Sequence, residues 1–247
     1  MTGTLFGLGL GPGDPELLTL KAHRILTSVP VVAYPAPDSG SSFARKIVAP
    51  YLRDDQIEVP IVVPMRVERF PAQDIYDRAA LELATHLDAG RDVAVLCEGD
   101  PFFYGSFMYV FERLAGTYPT EVVPGVSSMM ASAAAFGRPL AARNDVLTVV
   151  PGPLEDEILK SRIDAADAVV IIKLGRHFAR IRALIDAMGL TGAAAYVERV
   201  SLEEQRLMPL AEVPGDTAPY FSQILIYKGA EGWAASSFRA AGHEATA

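Results

Sequence analysis

The sequence predicts an α/β protein made of two α/β domains with mostly parallel sheets and a ligand cleft between them. Short runs rich in Val, Ile and Leu alternate with longer stretches of helical periodicity, the pattern of strands covered on both faces by crossover helices. The alternation restarts near residue 120, and 247 residues, half of them hydrophobic, suffice for one large domain or two of about 100 to 150 residues. The cleft is expected from the habit of such folds to bind ligands at the carboxyl ends of their strands and between domains.

Taken in order, "TLFGLGL" (4–10), "VPVVAY" (29–34), "IEVPIVV" (57–63) and "DVAVLC" (92–97) read as strands, with helices at 15–28, 42–52, 73–89 and 105–115. The second set has strands at 121–123, 146–150, 168–174, 194–199 and 222–228 and helices at 127–137, 154–164 and 176–188. The expected domains are 1–118 and 119–230. The Ala-rich end, 231–247, carries little periodicity and is expected to fray.

Composition excludes several functions. A formal charge of −8 disfavours nucleic acid or an anionic membrane as partner. Cys97 is the single cysteine, and with His23, His86, His177 and His243 scattered there is no zinc-ligand spacing, so no metal site is expected. The N-terminus lacks a secretory signal pattern and no apolar run approaches the ~20 residues of a spanning helix. The cytoplasm is the expected location.

The stretch "GLGLGPGDPELLTLKA" (7–22) resembles a dinucleotide loop only superficially. The last glycine of Gly-x-Gly-x-x-Gly is replaced by Pro12 or Asp14, depending on the frame. Pro12 and Pro15 have no N–H to offer a phosphate and Asp14 adds negative charge. The loop therefore suits a cationic small molecule, or one approached by bare backbone.

Gly-Asp-Pro recurs at Gly99-Asp100-Pro101, again between a strand and a helix. Asp14 reads first as a helix cap. Asp100, at the carboxyl end of the fourth strand, is the better candidate for function. Phe102, Phe103 and Tyr104 form either an aromatic wall beside it or ordinary core packing. In "VVPGVSSMMASAAAFG", Ser127 reads first as an N-cap; "GVSSM" is not the Gly-x-Ser-x-Gly of a nucleophilic serine. Lys173, ending the run "AVVIIK", is read two ways, as a strand-end lysine reaching water or as a cation facing a ligand carboxylate. Cys97 reads as a small buried hydrophobe. "RVERF" (66–70) and "EDEILKSR" (155–162) read as solvated faces.

Together "GLGLGPGDPELLTLKA", "LCEGDPFFYGSFMYVFERL", "VVPGVSSMMASAAAFGRPLA", "IIKLGR" and "YVERVSLEEQ" resemble the tetrapyrrole methylases of the cobalamin pathway, the class III S-adenosylmethionine methyltransferases. "SSFARKIVAPYL", "VPM" (63–65) and "GDPFFYGSFMYVFERL" are similar to the branch that methylates carbon 20 of precorrin-2. The resemblance implies a homodimer with S-adenosylmethionine as methyl donor, S-adenosylhomocysteine as product and a reduced tetrapyrrole, precorrin-2 or its cobalt complex, as substrate. It implies donor contacts at Leu10, Pro12, Gly99, Asp100, Phe103, Tyr104, Ser127, Ser128, Leu174 and Val200 and at backbone near Ile224 and Ile226. Where sister branches carry Gly-Gly-Asp-Pro, this chain has Glu98 in the first position.

The implied reaction moves a methyl group from sulfur to an electron-rich meso carbon, so the protein supplies alignment, with reacting atoms about 3 to 3.5 Å apart. Asp100, Lys173 and Tyr220 are the residues expected to serve catalysis. Tyr34, Glu98, Asp100 and Tyr220 are candidates for a proton acceptor. Among Arg45, Arg138, Arg143, Lys173 and Arg176, candidates for the substrate's carboxylates, Lys173 ranks first. Other readings are another branch of the family or a tetrapyrrole-binding or nucleoside-binding protein without catalysis.

Overall fold

The computed structural model describes residues 1–63 and 72–229. The expected tail (231–247), "RVERF" and most of "VPM" lie outside the described residues. The chain divides into two units, Met1–Ser127 and Ser128–Ala247.

The first unit holds β1 (Leu5–Gly9), α1 (Leu20–Leu26), β2 (Val31–Ala36), α2 (Phe43–Val48), β3 (Ile57–Val62), α3 (Ala72–Asp88), β4 (Val93–Cys97), α4 (Phe107–Leu114) and β5 (Thr120–Val123). Its strands lie in the order β3-β2-β4-β1-β5, and every pairing is parallel. Successive side chains of a strand point to opposite faces. Val93, Val95 and Cys97 therefore join Leu5, Leu83 and Phe107 under α3 and α4, while Ala94 and Leu96 join Leu8, Leu10, Val32 and Ile47 under α1 and α2. All five residues of β4 are buried, as an apolar strand at the centre of a two-sided sheet requires.

The expected helix 15–28 is interrupted. Asp14 accepts the Glu16 N–H and caps a single 3₁₀ turn, Pro15–Leu17; Leu18 is then extended, and Thr19 caps α1 through the Ala22 N–H. The expected helix 42–52 likewise stops as α2 at Val48, followed by a 3₁₀ turn, Ala49–Tyr51, because Pro50 cannot extend an α-helix. β5, which the sequence assigns to the second domain, pairs with β1 in the first sheet. The boundary expected at 118/119 accordingly lies after Ser127.

The second unit holds α5 (Ser128–Phe136), β6 (Leu147–Pro151), α6 (Asp156–Ala165), β7 (Ala168–Ile172), α7 (Phe178–Ala187), β8 (Ala194–Glu198), β9 (Arg206–Pro209) and β10 (Ser222–Tyr227). The order is β6-β7-β10-β8-β9. The expectation of mostly parallel strands needs correcting here: β6 and β7 are parallel, whereas β10 runs antiparallel to β7 and β8, and β9 antiparallel to β8. No helix carries the chain back from β8 to β9, so β9 returns directly in the opposite direction. The four residues of β9 carry too short a pattern to be read as a strand from sequence. Leu159, Ile163, Ile171, Phe178, Ile181, Tyr196 and Ile224 form the core between this sheet and α6 and α7. Among the described residues, no helix is long and apolar enough to cross a membrane.

Candidate functional site

In the first unit three loops meet at the carboxyl ends of the adjacent strands β4, β1 and β5. Leu10 N–H donates to the Cys97 carbonyl at 2.9 Å, and Gly11 and Gly99 exchange backbone hydrogen bonds of 3.2 and 2.7 Å. The loop after β1 is thereby tied to the loop after β4. Gly99 takes φ = +65°, a conformation that favours glycine.

Asp100 binds the third loop. Its Oδ1 accepts the Phe102 and Phe103 N–H groups at 2.9 and 3.1 Å, and its Oδ2 accepts the Gly125 N–H at 3.0 Å. Three backbone donors thus occupy one carboxylate, and Asp100 holds two loops in shape. The approach is close enough to require glycine: a Cβ on Gly125 would lie 2.1 Å from the Gly99 carbonyl oxygen, and one on Gly9 2.4 Å from the Gly125 nitrogen.

Around this junction lie most of the first-unit residues expected at the donor. Leu10, Pro12 and Ser127 are buried, Gly99, Asp100 and Phe103 are partly covered, and Tyr104 is exposed with φ = +56°. The Phe103 and Tyr104 rings meet edge to face, and Phe102 turns the other way onto Phe107 and Phe111. None of the three rings is buried: Phe102 and Tyr104 are exposed and Phe103 is partly covered, so the run is not core packing.

The capping bond expected of Ser127 is absent. α5 begins one residue later, and the buried Ser127 Oγ has no hydrogen-bond partner among the described residues. An orphaned hydroxyl inside a protein costs about 1 to 3 kcal/mol. A ligand group can recover that cost, and bare glycine backbone lies alongside. No Lys or Arg occurs in 10–15, 98–105 or 124–128, which fits a neutral or cationic ligand.

The four candidate proton acceptors fare differently. Tyr34 OH donates to Glu58 Oε2 at 2.7 Å, and burial together with that carboxylate raises its pKa. Asp100 is engaged as described. Tyr220, in the second unit, is exposed and packs edge to face on Phe221. Glu98 follows β4 directly; burial raises its pKa, opposed by its own backbone and by the Ala44 N–H at the start of α2. Arg45, a candidate for substrate carboxylates, is held by Glu58 through two hydrogen bonds of 2.6 and 2.8 Å.

In the second unit, β7 and β8 flank β10 and run opposite to it. The residues after β7, after β8 and before β10 therefore share one edge of the sheet. Lys173 and Leu174 lie there, with Arg199, Val200, Ser201 and Tyr220. Lys173, Arg199 and Ser201 have φ of +58°, +51° and +62°, a strained conformation for residues other than glycine that gathers at functional sites. Leu174 and Val200 are buried, as are Ile224 and Ile226 within β10. The other arginines are dispersed, with Arg138 5.7 Å from the Tyr227 ring centroid and Arg176 bonded to His177.

Sequence reasoning missed Gln223. Buried in β10, it donates through Nε2 to the Ser128 carbonyl at 2.8 Å and to Ser132 Oγ, fixing the first turn of α5. The signal was a glutamine in the apolar strand "SQILIY".

Comparison with known proteins adds a family. Residues 4–214 match the family described as Tetrapyrrole (Corrin/Porphyrin) Methylases. A Sinorhizobium protein named Precorrin-2 C(20)-methyltransferase is 41% identical over 232 residues, covering 91% of this chain and 95% of that one. Cobalamin biosynthesis protein CobIJ of Mycobacterium tuberculosis is 46% identical over 235 residues, covering 92% of this chain but 46% of the relative, so the chain spans about half that protein's length. Among solved structures, the Uroporphyrin-III C-methyl transferase from Thermus thermophilus, complexed with S-adenyl homocysteine, superposes with a TM-score of 0.65 at 28% identity, covering 90% of this chain and 97% of that one.

Proposed function

The chain belongs to the tetrapyrrole (corrin/porphyrin) methylase family, and from that premise we propose that it transfers a methyl group from S-adenosylmethionine to carbon 20 of precorrin-2, giving precorrin-3A in cobalamin biosynthesis. The observation that carries the reading is the glycine junction of the first unit, in which Asp100 fastens bare backbone beside the orphaned Ser127 hydroxyl. Its branch within the family is supported by the 41% identity to a precorrin-2 C(20)-methyltransferase over nearly that protein's full length. The reading includes a homodimer, which rests on the family resemblance, and a cytoplasmic location.

The residues present suit the donor. Leu10, Pro12, Gly99, Phe103, Tyr104 and Ser127 hold it in the first unit, and Ser128, Leu174, Val200, Ile224 and Ile226 belong to its site in the second. The donor supplies a methyl group on a cationic sulfur. Asp100 acts through the loops it shapes, since both of its oxygens are taken by backbone N–H groups. Lys173 and Tyr220 serve the tetrapyrrole from the edge of the second sheet, Lys173 by pairing with a carboxylate. The substrate's own electrons form the new carbon–carbon bond, so the protein contributes alignment and the removal of a proton.

The test is anaerobic incubation of the protein with labelled S-adenosylmethionine and enzymatically generated precorrin-2, with and without cobalt, followed by mass spectrometry. One labelled methyl mapped to carbon 20 is the expected result, and the relative rates identify the preferred metal state of the substrate. No transfer in either arm, with S-adenosylhomocysteine binding intact by calorimetry, moves the protein to another branch or to a binding role.

A further inference from the structure

Resting on that reading, we infer that Glu98 accepts the proton released from carbon 20 after methyl transfer. The balance is simple. The sulfur–methyl bond breaks and its electron pair returns to sulfur, while a carbon–carbon double bond of the tetrapyrrole supplies the pair for the new carbon–methyl bond. The macrocycle is left cationic with carbon 20 bearing both hydrogen and methyl. Loss of that hydrogen as a proton to the Glu98 carboxylate restores the conjugated, neutral π-system.

Position and elimination support the assignment. Glu98 lies between Cys97, whose carbonyl accepts the Leu10 N–H, and Gly99, which pairs with Gly11. It therefore sits inside the junction that the first Gly-Asp-Pro loop makes with the second. Along the strand it follows the parity of Ala94 and Leu96, so it emerges on the face covered by α1 and α2, where the Ala44 N–H at the start of α2 meets it. Part of its surface remains open.

The other polar groups of this unit considered for the task are committed elsewhere. Tyr34 donates a hydrogen bond to Glu58, Glu58 is held by Arg45, and Asp100 has both oxygens taken by three backbone N–H groups, whereas among the described residues Glu98 is hydrogen-bonded only by its own backbone and the Ala44 N–H. Cys97 and Tyr76 are titratable neighbours that interact with Glu98, both with their pKa pushed up to about 12 and so neutral at physiological pH. Burial raises the proton affinity of Glu98, which moves it toward the range of an effective general base.

The experiment compares wild type, Glu98→Gln and Glu98→Asp in single-turnover methyl transfer to precorrin-2 carrying either hydrogen or deuterium at carbon 20. S-adenosylhomocysteine affinity and thermal melting are measured on the same samples. Glu98→Gln is expected to slow product formation about 100-fold and to raise the deuterium isotope effect above that of wild type. Donor affinity and melting temperature stay unchanged, and Glu98→Asp recovers part of the rate. Transfer by Glu98→Gln at near wild-type rate, or a rate loss accompanied by lower donor affinity and melting temperature with no change in isotope effect, overturns the assignment. Failure of the wild type itself to methylate precorrin-2 overturns the reading on which the assignment rests, and the assignment with it.

Discussion

Asp100 Oδ2 accepts the backbone N–H of Gly125 at 3.0 Å, joining the loop after β4 to the loop after β5 across 25 residues of sequence. The same carboxylate caps its own loop through Phe102 and Phe103. Hydrogen bonds to a charged acceptor are each worth about 1.5 to 3 kcal/mol, with partial exposure lowering the figure. Asp100→Ala is therefore expected to destabilise by about 2 to 3 kcal/mol, to lower the melting temperature by several degrees and to weaken S-adenosylhomocysteine binding. Calorimetric melting and titration on one sample check both effects. Weakened binding with an unshifted melting temperature would mean direct contact with the donor in place of loop support.

The close passage of Gly9, Gly99 and Gly125 yields a second prediction. A Cβ on Gly125 would stand 2.1 Å from the Gly99 oxygen and 2.8 Å from both Cα and carbonyl carbon of Gly9, all backbone atoms that cannot rotate aside. Gly125→Ala is expected to push the loops apart and to weaken S-adenosylhomocysteine binding at least 10-fold. Gly116→Ala is the control, since a Cβ there meets nothing within 4 Å. Equal affinity in the two variants would refute the argument.

How far the sequence revealed these features depended on the range of the interaction. Strands such as 92–97 and 168–174 were legible because buried strands are written as continuous runs of apolar residues. Strand direction was not, since an apolar run reads the same whether its neighbour is parallel or antiparallel; β10 is the case in point. The Gly-Asp-Pro loops stood out by spacing, yet the capping of Asp14 is local while the third partner of Asp100 is Gly125, which no local pattern indicates. Lys173, Arg199 and Ser201 carry positive φ without being glycine, so their strain left no mark in composition. Ser127 was expected to cap α5, and its buried hydroxyl is unbonded among the described residues, an arrangement that no local pattern indicates.

Cys97 offers a simple solution test, being the single cysteine of the chain. Its side chain is buried at the end of β4, with Sγ 4.0 Å from Ser106 Oγ. Burial first, and the neighbouring Glu98 second, push the thiol up to about 12. The thiolate is the reactive form. Ellman's reagent at pH 8 is therefore expected to leave the native protein unlabelled for hours and to label it fully in guanidinium chloride. Rapid native labelling would show that the β4 end opens readily.

The Tyr34–Glu58–Arg45 group sets an acid limb to stability. The Arg45 hydrogen bonds, ahead of the Tyr34 hydroxyl, hold the Glu58 carboxyl below its ordinary value. A carboxylate with a depressed folded pKa contributes stability that is fully present above its unfolded value, near 4.3, and is lost as pH falls through the lower folded value. The Arg45 side chain is 44% exposed, so solvent screening limits the contribution to about 0.5 to 1 kcal/mol. Arg45→Ala is expected to unfold at lower urea than wild type at pH 7 by that margin, with the gap narrowing as the pH is taken below 4. A gap independent of pH would mean that Arg45 acts through packing of its aliphatic stem and not through Glu58.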